Sequence, residues 1–416
     1  MTDLLLLGAG RGSAGTFTEA QAIYSLRAVD GFSGPVVRLR RHYNSDEQDF
    51  TAAELVGEEL TSELLANNDM QASEWSNSGG WTISGGVASL VSTAGSSNFL
   101  TLSTAIWGGG YQYYKVTFTI DSCSDFDKVG LVMGSATYRR FEFFGIEAPG
   151  TYTVLFDNDA RPQNVIRFFA NQGDDGSTCS ISYFSVKAYS PSAAEVFAFP
   201  DEVRNSFTPW AEQEDSAYVR TWYDQSGNGN DAGQSTLDAQ PKLITAGITE
   251  VENGKPAIVF DGVNDWLDLA DVEFSATLED LSAFTVTKTA SPNLSQIGFV
   301  ASKATDSKRF YVPRVTSSEL HLGYVTINAL RDGGYDTSQH LVSLVTDKAG
   351  GVARGFKDGL AFSDAAVYPI STKATDSTGN SIGSYVGSSN FWDGNIQEII
   401  VYDSDQSADR IGIEEN

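Results

Sequence analysis

Three glycines near the start of the chain, Gly10, Gly12 and Gly15 in LLLLGAGRGSAG (4–15), carry the spacing GxGxxG, and Asp30 follows at the distance from which an acid reaches a ribose. That spelling cradles a dinucleotide only where a strand leads in, a helix leads out and a second strand presents the acid. Here TFTEAQAIYSLRAV (16–29) reads as a helix capped by Thr16 or Thr18, and it runs straight into Asp30 with no room for the second strand. Strands alternating with helices are missing downstream as well, so no nucleotide site is expected.

Nucleophilic and metal chemistry have little more support. The three histidines, His42, His321 and His340, stand far apart, without HxH or HExxH spacing and without a cysteine partner, and each reads as an ordinary strand or loop residue. No Walker motif is present. The run DQSGNGND (224–231) is rich in hard oxygens, which leaves calcium as an alternative, but the EF-hand spacing and its closing Glu are missing. Its Asn and Gly residues instead predict a tight, self-bonded loop in which Asp224, Ser226, Asn228 and Asn230 are structural and Asp224 and Asn228 cap backbone amides. No metal site and no cofactor other than that calcium is expected. Cys123 and Cys179 share one β-rich stretch, where they either pair or stay free.

Sugar recognition is the chemistry the side chains suit best, because an aromatic face stacks on sugar C–H groups while amides and carboxylates hold the hydroxyls. Trp75, Trp81, Trp107, Tyr111, Tyr113 and Tyr114 cluster in the first third of the chain, and Trp266 and Trp392 each adjoin an acid, Asp265 and Asp393. Trp107 and Tyr111 flank the glycines 108–110, where a hairpin tip would project aromatics outward. The competing role for every one of them is filling the core between two sheets.

The elements that would position these residues are strands. Glycine is frequent (40 residues), aromatics reach 12% and charged residues only 19%, a balance that favours strands and turns over helical bundles. From 62 to 190 short alternating runs such as YQYYKVTFTID and STCSISYFSVKAYS are separated by Gly, Asn, Asp and Ser, which predicts an antiparallel jelly roll. The segment 191–200, with its prolines, reads as the return from it. From 201 onward about eleven more runs at this spacing, among them YVRTWYDQ, PAIVFDG and EIIVYD, predict two stacked sheets. Helix is expected only near 18–28 and in the closing QSADRIGIEEN. The net charge of −27 argues against a grip on nucleic acid, and no apolar run is long enough to span a membrane or serve as a signal peptide. A chain made in a cytoplasm follows from that last reading.

AIYSLRAVDGFSGPVVRLRR (22–41), AYVRTWYDQSGNGNDA (217–232), NGKPAIVFDG (253–262) and FWDGNIQEIIVYDSDQSADRIGIEEN (391–416) together resemble the catalytic domain of the fungal α-L-arabinofuranosidase B family. They are still more similar to the concanavalin A-like, laminin-G-type domains of tailed-bacteriophage structural proteins. The resemblance implies an all-β, concanavalin A-like two-sheet sandwich made of residues 16–61 and 191–416, interrupted by a carbohydrate-binding-module-like jelly roll at 62–190 and preceded by an arm at 1–15. It implies a non-enzymatic virion protein: a capsid decoration, head fibre or tail component that binds host-surface glycans. Leu4, Leu5, Leu6 and Leu7 would attach it to other virion proteins, and it would act as a homo-oligomer, for a spike a trimer. Two alternatives stay open, a glycoside hydrolase acting on arabinose-containing or other surface polysaccharide and a secreted bacterial lectin or adhesin. Against hydrolysis, the family's vicinal cysteines are missing, and SPNLSQIGFVASKATDSKRF (291–310) offers only Asp306 where a nucleophilic Glu is expected.

Overall fold

A computed structural model describes residues 17–416 except 18, 43, 66–69, 71–74, 93–97, 103–112, 126–128, 135–138, 144–147, 158–164, 171–175, 199–215, 270–280, 304–307, 325–329, 348–351, 363–379, 386 and 416. The protein is all-β and antiparallel throughout its described ladders, a β-sandwich whose two ladders close around an apolar core and which carries a jelly roll.

In the sandwich one ladder runs from Leu360–Ala361 through Val352–Lys357, Gln339–Asp347 and Ser282–Thr289 to Asp393–Tyr402, whose far edge is shared by Ala20–Ser25 and Ile258–Asp261. The other begins Glu47–Phe50, Val37–Arg41, Ala217–Trp222 and continues through Ala232–Gly233, Leu267–Asp268, Ser381–Ile382 and Phe299–Lys303 to Lys308–Thr316, Glu319–Tyr324 and Leu330–Gly333. Lys242–Thr245 pairs with both Ala217–Trp222 and Ile258–Asp261 and so joins the two ladders. Between them lies one apolar core that includes Tyr24, Trp222, Phe260, Phe299 and Trp392.

The segment expected to be helical is a strand. Ala20–Ser25 pairs with Asp393–Tyr402, and its residues are apolar toward both sides: Ala22 and Tyr24 enter the main core while Ala20 and Ile23 enter a second cluster with Phe284, Ile400 and Tyr402. A strand covered on both faces shows a near-continuous apolar run, which periodicity alone does not separate from a helix. Asp30 follows in an exposed turn with φ of 49°, and Gly10, Gly12 and Gly15 lie outside the described residues, as do Leu4, Leu5, Leu6 and Leu7.

The closing helix is present as Arg410–Glu414, and a further helix, Ala193–Ala198, stands where a plain return was expected. Its start is a reciprocal cap: Glu195 N–H donates to Ser192 Oγ (3.1 Å) and Ser192 N–H donates to Glu195 Oε2 (2.5 Å). That S-x-x-E pattern was there to be read in the sequence.

The jelly roll has two sheets. One is ordered Gly150–Asp157, Tyr113–Cys123, Thr178–Ser190, Val87–Val91, Trp81–Ser84, and the other Arg139–Phe143, Val129–Gly134, Val165–Ala170, Asn98–Leu102, Trp75–Asn77. Strict alternation along Tyr113–Cys123 sends Tyr114, Val116, Phe118 and Ile120 inward, and Thr117 and Thr119 outward. Its first ladder contact, Glu58–Glu59 on Tyr189 and Ser190, comes ahead of residue 62. Cys123 and Cys179 face each other across Tyr113–Cys123 and Thr178–Ser190 and form a disulfide.

Candidate functional site

The loop 224–231 works as a clamp on the strand Ala20–Ser25. Asp224 Oδ1 accepts from the N–H groups of Ile23 and Ser226 (2.9 Å each), and Oδ2 accepts from Asn230 N–H (3.0 Å) and Ser226 Oγ (2.7 Å). Asn228 Nδ2 donates to the carbonyls of Ala20 and Gln21, Asn230 Nδ2 to Gln21, and Ser226 Oγ to Gln21. Gly227 and Gly229 take φ of 86° and 75°, which side chains resist. Three backbone N–H groups and the hydroxyl of Ser226, whose one proton is shared with Gln21 O, thus commit Asp224 to the loop. Among the described residues no group of His, Cys, Asp and Glu converges as a metal site.

Most of the described aromatics proposed to touch sugar are in the cores. Trp75 (5% exposed) and Trp81 (3%) face Phe184 and Phe168 edge-on inside the jelly roll, and Tyr114 is buried there too. Trp392 is fully buried in the sandwich and donates Nε1–H to Lys288 O. The reason is the one weighed against them: a strand buries every second side chain, and the large apolar ones go inward. Tyr113 is half-buried against the jelly-roll core, while Trp107 and Tyr111 lie outside the described residues. Among the described tryptophans only Trp266 keeps part of its ring at the surface, packed so closely over Gly387 that a Cβ there would sit 2.4 Å from the indole. Asp393 is half-buried opposite Asp261 in the ladder. Asp306 lies outside the described residues.

A different set of residues converges on a groove. Tyr218 lies opposite Arg40 in one neighbouring strand and opposite Lys242 in the other, and Lys242 lies opposite Val259. Residues directly opposite in adjacent strands share a face, so four strands distant in the chain put Arg40, Tyr218, Lys242 and Val259 in one row. Asp261 follows Val259 by the strand period of two and belongs to the same face. The Arg40 guanidinium is 4.9 Å and the Lys242 ammonium 5.5 Å from the Tyr218 ring centre, and the His42 ring is 5.8 Å away. Arg40 also donates Nε–H to Gln240 Oε1 (2.5 Å), which fixes it against the turn at Leu237–Ala239, and burial lowers its pKa.

Facing these cations are carboxylates. Asp238, Glu250, Asp261 and Asp265 line the same cavity, about 470 Å³, with Arg40, His42, Tyr218 and Lys242. Asp261 Oδ1 accepts from the N–H groups of Val263 (2.8 Å), Asn264 (3.1 Å) and Asp265 (3.3 Å), and Asp265 Oδ2 accepts from Asp261 N–H (3.0 Å), so the two acids brace one turn. Burial, with Asp261 close by, pushes the Asp265 carboxyl up to about 7. At neutral pH it both donates and accepts.

Lys242, Thr245 and Glu250 also line a second, larger cavity of about 840 Å³ whose opposite wall comes from the jelly roll: Lys115, Thr151, Tyr152 and Thr153. Of the described residues singled out in the sequence for sugar, only Asp265 is in the groove around Tyr218. Arg40, Tyr218 and Asp261 stand in segments quoted above and Lys242 does not, and the register that aligns the four is set by pairing that no local pattern reveals.

No protein-family model matches the chain, and no curated protein matches it. Among solved structures, the CBM40 of the Ruminococcus gnavus IT-sialidase bound to α2,3-sialyllactose is 16% identical with a TM-score of 0.29, over 38% of this chain and 95% of its own. Trypanosoma rangeli sialidase in complex with the inhibitor DANA is 10% identical with a TM-score of 0.33, over 80% of this chain and 61% of its own. The leech intramolecular trans-sialidase is 16% identical with a TM-score of 0.28, over 34% of this chain and 23% of its own. These are distant likenesses among β-rich chains.

Proposed function

We propose that the protein binds glycans in the groove centred on Tyr218 and does so without hydrolysing them. The observation that carries this reading is the row of Arg40, Tyr218 and Lys242 set against Asp238, Glu250, Asp261 and Asp265. A sugar hydroxyl donates one hydrogen bond and accepts others, so a wall that alternates cations with carboxylates suits it, and bonds to charged partners are the stronger ones. The cavity volume falls within the range of roughly 300–1,000 Å³ usual for small-molecule sites.

Lys242→Ala removes the central donor from a half-buried surface position. Affinity for a bound polysaccharide is expected to fall about tenfold, in line with one lost charged hydrogen bond of roughly 1.5 kcal/mol, with the thermal unfolding midpoint unchanged. Retained affinity would remove the groove from the reading.

The setting that the phage resemblance of 22–41, 217–232, 253–262 and 391–416 supports is the surface of a tailed-phage particle, with Leu4–Leu7 as attachment arm. Mass spectrometry of purified particles tests it, and absence of the chain from them would count against it. A hydrolase reading keeps one specific observation in its favour, the Asp265 carboxyl held near neutrality beside Asp261. Release of reducing sugar that is abolished by Asp265→Asn would establish it in place of plain binding.

A further inference from the structure

The two cavities are not separate features. Lys242, Thr245 and Glu250 form a shared wall, so the groove leads from the Tyr218 row across Thr245 and into the cleft between sandwich and jelly roll. The far wall is the outer face of the strands Gly150–Asp157 and Tyr113–Cys123. There Thr117 and Thr153 (3.1 Å) and Thr119 and Thr151 (2.8 Å) pair their hydroxyls across the ladder, and Thr151 and Thr153 line the cleft. A hydroxyl has one proton and two lone pairs, so a hydroxyl bonded to its neighbour keeps capacity for a ligand.

The cleft walls are held in place. Glu195 is fully buried at the root of the jelly roll, and its Oε1 accepts from Tyr189 Oη (2.6 Å) on the jelly-roll side and from Thr249 N–H (3.2 Å) on the sandwich side. A Cβ on Gly57 would lie 2.0 Å from Tyr189 Oη, so the backbone closes on this junction with no slack. Ala246 and Ile248 of the sandwich pack against the jelly-roll core. A site built across such a junction is preorganised, which removes an ordering cost from binding.

Charge sets the class of ligand. In the cleft Lys115 is already paired with Glu59 (3.3 Å), and Lys242 stands with Glu250, so the lining offers no excess of positive charge on a chain of net charge −27. An acidic polymer would gain little there and be repelled at long range.

We propose that the ligand is an extended, uncharged polysaccharide that begins at the Tyr218 row, crosses Lys242 and Thr245, and is held further along its length by the threonine face of the jelly roll. The proposal rests on the glycan-binding reading and adds the polymer's charge class, its extension and the second surface that holds it.

The test is calorimetric titration of the full chain with size-graded oligosaccharides, from disaccharide to octasaccharide. The neutral series come from dextran, mannan and arabinan and the acidic series from polygalacturonate, at low and high NaCl. Affinity for at least one neutral series is expected to rise tenfold or more with length, then level off, with little salt dependence. The double variant Thr151→Val/Thr153→Val, which keeps shape and strand preference, is expected to bring the long oligosaccharide down to the affinity of the short one and leave the short one unchanged. Affinity that is flat with length, or a double variant without effect, overturns the extended site while leaving the groove itself intact. Binding of polygalacturonate alone, lost at high salt, overturns the uncharged class. Loss of short-oligosaccharide binding in Lys242→Ala upholds the groove independently, and no binding in any series overturns both.

Discussion

The sandwich and the jelly roll are made of the same antiparallel strands but are held together differently. In the sandwich, buried polar side chains tie backbone segments that are remote in sequence: Asp224 to Ile23, Gln225 to Ser25, Arg27 and Val29, Gln296 to Asp393, and Ser343 to Glu414. In the jelly roll the core is apolar and aromatic, and the side-chain hydrogen bonds of Thr117, Thr119, Thr151 and Thr153 run along its outer surface. The difference teaches where each part can be damaged. Apolar volume holds both cores, and in the sandwich buried acceptors such as Asp224 and Gln296 additionally hold distant strands in register.

The largest expected effect is therefore Trp75→Ala. Its ring packs edge-on to Phe184 at 4.9 Å with only 5% of the residue exposed, and its loss is expected to destabilise the jelly roll by about 4 kcal/mol. Denaturant unfolding followed by residue-specific probes should show the jelly roll melting first and the sandwich unmoved. A stable variant with weakened glycan binding would instead return Trp75 to the surface role expected from the sequence.

Asp224→Ala comes next and acts on the other part. Three backbone N–H groups lose their acceptor, two in the clamp loop and one in the buried strand Ala20–Ser25, while Ser226 Oγ keeps the carbonyl of Gln21. The sandwich is expected to lose about 3 kcal/mol, because an unsatisfied buried donor costs more than a made bond gains. The jelly-roll transition should not move. A loss below about 0.5 kcal/mol would mean that the loop is decoration on a strand already fixed by its neighbours.

The smallest effect separates the two parts by pH. The folded Asp265 carboxyl is raised to about 7 by burial and Asp261, while an unfolded Asp titrates near 3.9, so between these values the folded state holds the extra proton. Sandwich stability should accordingly fall as pH rises through that window. His340 acts in the same direction. Hydrogen-bonded to Asp358 (2.7 Å) and Asp336 (3.2 Å), it has a raised pKa despite burial, and its contribution is complete below its ordinary value of 6.5 and lost as pH climbs through the raised one. Among the described jelly-roll residues the shifted groups move away from neutrality, Glu59 downward and Lys187 and Tyr189 upward. Asp265→Asn is expected to stabilise the sandwich by about 2 kcal/mol at pH 8 and to flatten much of its decline from pH 4 to 7. A pH profile identical to that of the parent protein would show that Asp265 is not held protonated.

The sequence was informative where local rules decide. Alternation along Tyr113–Cys123 reads directly as a strand with one wet face, and the Asn and Gly residues of 224–231 read as a self-bonded loop. Local rules failed where a distant partner decides. The strand Ala20–Ser25 looks helical because both of its faces are apolar, and only Asp393–Tyr402 and the clamp from Asp224 make it extended. Trp75 and Trp81 sit at strand positions whose inward or outward sense depends on register, and Trp392 lies just ahead of the strand Asp393–Tyr402, where no local pattern gives its direction. The groove suffers from the same blindness: Arg40, Tyr218 and Lys242 become neighbours only when three strands pair.

Hydrogen–deuterium exchange of the full chain with and without a bound neutral polysaccharide tests the central claim most directly. Slower exchange is expected in 37–41, 217–222, 237–250 and 258–265, which build the groove, and in 113–119 and 150–154 on the facing jelly-roll wall. Protection confined to segments around Trp75, Trp81 or Trp392, with the groove segments unchanged, would contradict it.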